Sequence, residues 1–203
     1  MKSTAIEVLG PESVSEILDV FCDAFADYPV MKFVLGSEAN SPERLRKLIG
    51  YFVHRRVRLG GPLFGVRDGT RLVGVATATV PTESEAPADL LQFRDRLFDD
   101  IGTDCRARHD RYATGAALFG SVGPHHHLNM LGLRSSHQGR GLARPLVDAV
   151  RALAQNHPIS TGVSLTTETV SNVRLYEHLG FDVIGNARVD ASFETWGLFW
   201  KRP

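Results

Sequence analysis

Cysteine is nearly missing from this sequence. Cys22 and Cys105 are the only two, far apart and in no ligand-like spacing. That excludes a disulfide framework and a cysteine-built metal centre, and two free thiols in a reducing cytoplasm are the expectation. Cys22, between Phe21 and Phe25, reads as a small core residue. Cys105, beside Arg106, Arg108 and His109, lacks a base-and-orienter arrangement and reads as structural. An excess of charge of one sign is also missing: 23 Lys and Arg balance 23 Asp and Glu. A nucleic-acid binder needs a basic stripe to displace counterions, so no nucleic-acid partner is expected. No apolar run reaches the length that spans a bilayer, and no membrane role is expected. The opening residues, Met1 to Glu7, meet an acidic side chain and then Gly10-Pro11 before a signal-peptide core can form. Repeats, linkers and low-complexity tracts are absent. What remains is a 203-residue chain with 43% hydrophobic residues, enough to bury a sizeable core in one domain.

The hydrophobic spacing alternates between strand and helix. Ile6 to Leu9 reads as a strand, and a helix from Glu12 or Ser13 carries Val14, Ile17, Leu18, Phe21, Cys22 and Phe25 until Tyr28-Pro29 breaks it. Ser41-Pro42-Glu43 starts a second helix that stops at Gly60-Gly61. Strands over Leu63 to Arg67 and Leu72 to Val80 flank Asp68-Gly69, a hairpin signal. Pro87 to about Leu118 looks helical in two pieces, broken near Gly102. A strand over Leu128 to Leu133 and a helix to about Gln155 follow, then a strand over Val163 to Thr167 and a short helix over Asn172 to Leu179. Strands near Val183 to Val189 and Glu194 to Trp200 close the chain. The expectation is one α/β domain over residues 1–203, with a helical insertion at about 81–123, between strands three and four.

The Leu128 to Leu133 strand alternates Leu128, Met130 and Gly132 with Asn129, Leu131 and Leu133. It is apolar on both faces, as suits a strand covered on each side. Gln138-Gly139-Arg140-Gly141-Leu142-Ala143 then turns directly into a helix. Glycines let backbone come close to a ligand, and first-turn N–H groups lack intrahelical acceptors at the positive end of the helix dipole. A phosphate fits there, with Arg140 and Arg144 adding charge. The dinucleotide fingerprint fails because Arg144 stands where its third glycine belongs, and no Gly-Lys-Ser/Thr follows.

The longer pattern, Leu128-x-x-Leu131-x-Leu133 followed after four residues by Gln138-x-x-Gly141-x-Ala143, resembles motif A of the GNAT superfamily of acyl-CoA-dependent N-acyltransferases. Asn172-x-x-x-Tyr176-Glu177-x-x-Gly180-Phe181 resembles its motif B. Two departures stand out: Ala143 replaces a commoner glycine, and Arg134-Ser135 lacks the usual proline, which predicts a looser turn. Pro124-His125-His126-His127-Leu128, with Asn172, Tyr176, Glu177 and Trp196, more narrowly resembles antibiotic-acetylating members such as puromycin N-acetyltransferase. The resemblance implies a mostly antiparallel mixed sheet of six to seven strands, splayed between strands four and five, with helices on both faces. It implies acetyl-CoA as co-substrate and no metal, and a cytoplasmic monomer or homodimer is the expectation.

By the same resemblance, Leu131, Gly132 and Leu133 meet the pantetheine arm through main-chain groups, with the N–H of Leu131 or Gly132 as oxyanion donor. Gln138, Gly139, Arg140, Gly141, Leu142, Ala143 and Arg144 hold the pyrophosphate. Tyr176 becomes the general acid, against a plain reading as a buried aromatic. Asn172 reads as a helix cap that also contacts the cofactor. His127 and Asn129 share one strand face. His127 is a candidate base with a suitable ordinary pKa, or a surface histidine. His125 and His127 could converge on a metal, but no acidic partner completes a site. Tyr28, with Asp23 and Asp27, gives the acceptor region aromatic and negative character suited to a cationic amine. Glu168 and Glu177 read as solvated or cap-related. Acetylation of a small-molecule amine leads. Acetylation of a protein lysine or N-terminus, and a non-catalytic coenzyme A sensor, are the alternatives.

Overall fold

A computed structural model describes residues 5–82, 86–120, 122–191 and 193–203. Residues 1–4 of the N-terminal reading, and 83–85 and 121 of the predicted insertion, lie outside the described residues. Seven strands form one sheet: β1 (Ile6–Val8), β2 (Leu63–Asp68), β3 (Arg71–Thr79), β4 (His126–Leu133), β5 (Gly162–Thr167), β6 (Asp182–Arg188) and β7 (Glu194–Lys201). Their order is β1-β2-β3-β4-β5-β7-β6. Every pairing is antiparallel except β4 with β5.

The sheet separates two apolar clusters. One lies under α1 (Val14–Phe25), α2 (Pro29–Leu35), α3 (Pro42–Arg58), α4 (Ala88–Ile101) and α5 (Thr103–Ala117). The other lies under α6 (Ala143–Asn156) and α7 (Val170–His178). Helices therefore cover both faces, and α4 and α5 fill the predicted insertion between β3 and β4. Gly102, at φ +104°, separates that pair where the sequence places a break. Ser41 caps α3 by accepting a hydrogen bond from the Arg44 N–H at 3.3 Å.

Three local readings need correction. The proline that ends α1 also begins a helix the sequence reading lacks: Tyr28 is the N-cap and Pro29 the first residue of α2. Proline at that position loses no hydrogen bond, since first-turn N–H groups are unpaired anyway. On β4, Thr77 pairs with Met130 but Ala78 pairs with Leu128, so Asn129 is a bulge. The extra residue breaks the expected alternation. Leu128, Leu131 and Leu133 join the α6 side, while Met130 packs on the α1 side and Gly132 faces Phe21 and Ala24 of α1. Thirdly, the turn after β4 is not loose. Residues Ser135–His137 form a 3-10 turn, held by Arg134 Nε donating to the Leu72 carbonyl at 2.9 Å and by His137 Nε2 at 3.2 Å from Asp68 Oδ2.

Candidate active site

β4 and β5 pair only from His126 to Leu128, opposite Val163 to Leu165, and then separate. Beyond Leu128 the β5-facing edge of β4 has no strand partner, so the main chain of Leu131, Gly132 and Leu133 borders an opening. That opening belongs to a cavity of about 1080 Å³, the larger of the two best-formed cavities among the described residues. Its lining joins Asn129, Leu131, Gly132 and Leu133 of β4 to Gln138, Gly139, Gly141, Leu142 and Ala143 of the turn, and to Asn172 and Tyr176 of α7.

The turn is shaped for close approach. Gly139 (φ +72°) and Gly141 (φ +77°) adopt left-handed backbone, and a Cβ at either would stand in open space. Strain in the left-handed region, not collision, is what reserves these positions for glycine. Gln138 donates from Nε2 to the Leu133 carbonyl at 3.2 Å, tying the turn to the strand end. No side chain caps the N-terminus of α6, and Leu146, Val147 and Val150 bury its inner face. Arg140 and Arg144 are exposed beside it and form no ion pair among the described residues. Open N–H groups, two glycines and two unpaired cations make an anion cradle that fits a pyrophosphate. Among the described residues, no three or more His, Cys, Asp or Glu side chains converge as metal ligands.

Tyr176 is 8% exposed and lines the cavity. It is held from its own helix end: the Phe181 N–H donates to the Tyr176 carbonyl at 3.0 Å, and the two rings meet edge-to-face at 5.7 Å. Its hydroxyl has no hydrogen-bond partner among the described residues, and burial pushes its pKa well above the ordinary tyrosine range. Asn172 is not the cap of α7. Thr169 is, with Oγ1 accepting from the Asn172 N–H at 3.2 Å. That places Asn172 inside the first turn, where its Nδ2 reaches the Tyr28 hydroxyl at 3.4 Å.

His127 and Asn129 both border the cavity. His127 Nδ1 lies 2.7 Å from Ser164 Oγ, and burial pushes the ring's pKa down to about 4, so it is a neutral imidazole near pH 7. Asn129 Oδ1 accepts from Thr79 Oγ1 at 2.9 Å, and Thr79 in turn accepts from Arg56 Nη1 at 2.5 Å. His125 is turned away, with Nδ1 2.6 Å from the Gly123 carbonyl. Asp27 pairs with Lys32 at the surface, and neither Asp23 nor Asp27 lines the cavity.

Glu168 overturns the reading of it as solvated or cap-related. Unlike the exposed Glu177, it is 8% exposed and lines the cavity. Tyr112 of α5 donates to Glu168 Oε1 at 3.0 Å, and Thr195 of β7 donates to the same oxygen at 2.9 Å. The Glu168 N–H donates to the Tyr28 hydroxyl at 3.3 Å. Burial raises the carboxyl pKa above 4.5, and hydrogen bonds from Tyr28, Thr195 and Tyr112 oppose that rise. Tyr112 and Thr195 escaped the sequence reading altogether. The available signal was a polar row at strand spacing, Ser164, Thr166 and Glu168, beside an apolar Val163 and Leu165.

The far half of the cavity is walled by Val30, Met31 and Val34 of α2 and Leu48 and Phe52 of α3, with α5 closing the side. Arg108 of α5 donates from Nε to the Val34 carbonyl at 2.9 Å, and Phe33 stacks on Phe193 at 4.7 Å.

Residues 105–196 match the family model described as the acetyltransferase (GNAT) domain. Among solved structures, the chain resembles one from Corynebacterium glutamicum described as histone acetyltransferase HPA2 and related acetyltransferase. The two share 22% identity over 97% of this chain and 95% of that one, with a TM-score of 0.72. Arabidopsis thaliana NAA60 in complex with acetyl-CoA is 15% identical over 98% of each chain, at a TM-score of 0.57. Arylalkylamine N-acetyltransferase 2 from Aedes aegypti is 15% identical over 98% of each chain, at 0.62. No curated protein sequence matches.

Proposed function

We propose that the chain is a GNAT N-acetyltransferase that draws on acetyl-CoA, and that its acceptor is the primary amine of a small molecule. The observation that supports this is a single cavity. The anion cradle and Tyr176 lie in one part, and a largely apolar chamber lined by α2, α3 and α5, with Arg55, Arg56 and His109 also on its wall, forms the other. A polypeptide acceptor needs an open groove, whereas this chamber suits a compact ligand.

The N–H groups from Gln138 to Ala143, with Arg140 and Arg144, hold the pyrophosphate of acetyl-CoA. Main-chain groups of Leu131, Gly132 and Leu133, with Asn172, border the pantetheine arm. Bound there, acetyl-CoA supplies a thioester carbonyl open to an amine. The Leu131 or Gly132 N–H stabilises the charge that develops on the carbonyl oxygen. Tyr176 is the general acid. A hydroxyl without a partner and with a raised pKa stays protonated until the leaving thiolate takes its proton. Tyr28 and Asn129 line the acceptor's path. His127 shapes the same wall as a neutral ring, too weak a base near pH 7 to hold a proton taken from an ammonium.

The test is thiol release from acetyl-CoA across a panel of small primary amines and of lysine-bearing and free N-terminal peptides. The expected outcome is that the best small amine exceeds every peptide in kcat/KM by about 100-fold. Peptides matching or exceeding the amines would remove the small-molecule reading.

A further inference from the structure

Glu168 is a buried acid on the wall of a cavity read as an acceptor site, and the motifs above leave it without a role. It is the first residue after β5, in the two-residue connection to α7. Tyr112 and Thr195 donate to Oε1, and the Tyr28 hydroxyl also bonds the carboxylate. No basic side chain among the described residues forms an ion pair with the carboxylate. A buried carboxylate without a cation is costly, and a cationic ligand would offset that cost. The groups that face it are Tyr28 from the α1–α2 junction, Tyr112 from α5, Tyr176 from α7 and Thr195 from β7. The three phenols are all neutral near pH 7.

We infer that Glu168 binds the acceptor as its ammonium and takes the ammonium proton, so that the acceptor is a primary amine carried on an apolar body. The inference rests on the small-molecule reading above and deepens it. The body would lie among Val30, Met31, Val34, Leu48 and Phe52. The steps balance. The ammonium gives one proton to the Glu168 carboxylate, and its freed lone pair forms the C–N bond at the thioester carbon. The C–S bond breaks, and the thiolate takes the Tyr176 hydroxyl proton. The second proton on nitrogen restores Tyr176, and Glu168 releases its own to solvent. The products are an N-acetyl amide, coenzyme A thiol and one proton. Burial also favours Glu168 over His127 here, since it strengthens a carboxylate as a base and weakens an imidazole.

The experiment compares wild type, Glu168→Gln and Tyr112→Phe, using 2-phenylethylamine and hexylamine as probes and 2-phenylethanol as the neutral isostere. Ligand binding is measured by calorimetry on enzyme saturated with coenzyme A, and turnover is measured across pH. Wild type should bind the amine in preference to the alcohol, and Glu168→Gln should erase that preference. Amine kcat/KM should fall about 100-fold in Glu168→Gln, with acetyl-CoA affinity unchanged. Tyr112→Phe removes a hydrogen bond that favours the charged carboxylate, so the acid limb of its pH profile should move to higher pH, which a purely structural role would not produce. Wild-type turnover with Glu168→Gln undiminished and the amine preference kept would overturn this inference alone. Wild type that acetylates no small amine would overturn both this inference and the reading beneath it.

Discussion

Tyr176 and His127 sit on one cavity wall, and burial holds both in their neutral forms. For Tyr176 this preserves a proton to donate. Tyr176→Phe should lower kcat about 100-fold. Because the hydroxyl has no partner to lose, melting temperature and acetyl-CoA affinity should stay at wild-type values, as calorimetry would report. For His127, and for His126 behind it in the same strand, the consequence is a pH-dependent stability. Each has a folded pKa near 4 against an ordinary 6.5, so the unfolded chain binds protons that the folded chain refuses. Their contribution is complete above pH 6.5 and is lost as pH falls from 6.5 toward 4, at about 1.4 kcal/mol per pH unit for each ring once the unfolded ring is charged. Melting curves of wild type and His127→Gln should converge as pH drops through that window. A constant gap between them would contradict the burial argument. Residue type and spacing pick out Tyr176, which lines the cavity. They did not reveal Glu168, because its burial depends on Tyr112, Thr195 and Tyr28, which come from elements far away in the sequence.

Among the elements, the turn into α6 and the cap of α7 each make a separable prediction. Gly141→Ala puts a side chain on backbone at φ +77°, which costs about 1 kcal/mol of local strain and disturbs the N–H groups around it. Acetyl-CoA affinity should fall about tenfold by calorimetry, while the relative preference among amines stays the same. Thr169→Ala should cost about 1 kcal/mol of stability by denaturant unfolding, because the Asn172 N–H loses its side-chain acceptor and keeps only the Thr169 carbonyl. Most elements were legible from apolar spacing and breakers, including the hairpin, α3 with its Ser41 cap, and the break at Gly102. The missed ones share a cause: a local signal carried two meanings. Pro29 both ends α1 and begins α2. Thr169 and Asn172 are both good caps, and only the backbone shows which one is used. The Asn129 bulge was hidden because β4 is apolar on both faces, so a one-residue slip leaves its pattern looking intact.

At the scale of the molecule, the sheet does two jobs. Its central strands bury both faces, and the parallel β4–β5 pair opens after three residues, placing a cavity between the two apolar clusters. The turn and α7 border it on one side, and α2, α3 and α5 on the other. This arrangement brings the proposed phosphate cradle, proton donor and acceptor chamber into one space. On this reading the Gln138 to Ala143 turn grips acetyl-CoA. The most direct measurement is calorimetric titration of the purified protein with acetyl-CoA, repeated with Gly141→Ala. One site per chain with micromolar affinity, weakened in the variant, is the expected result. No binding at micromolar concentrations, or equal binding by the two proteins, would contradict it.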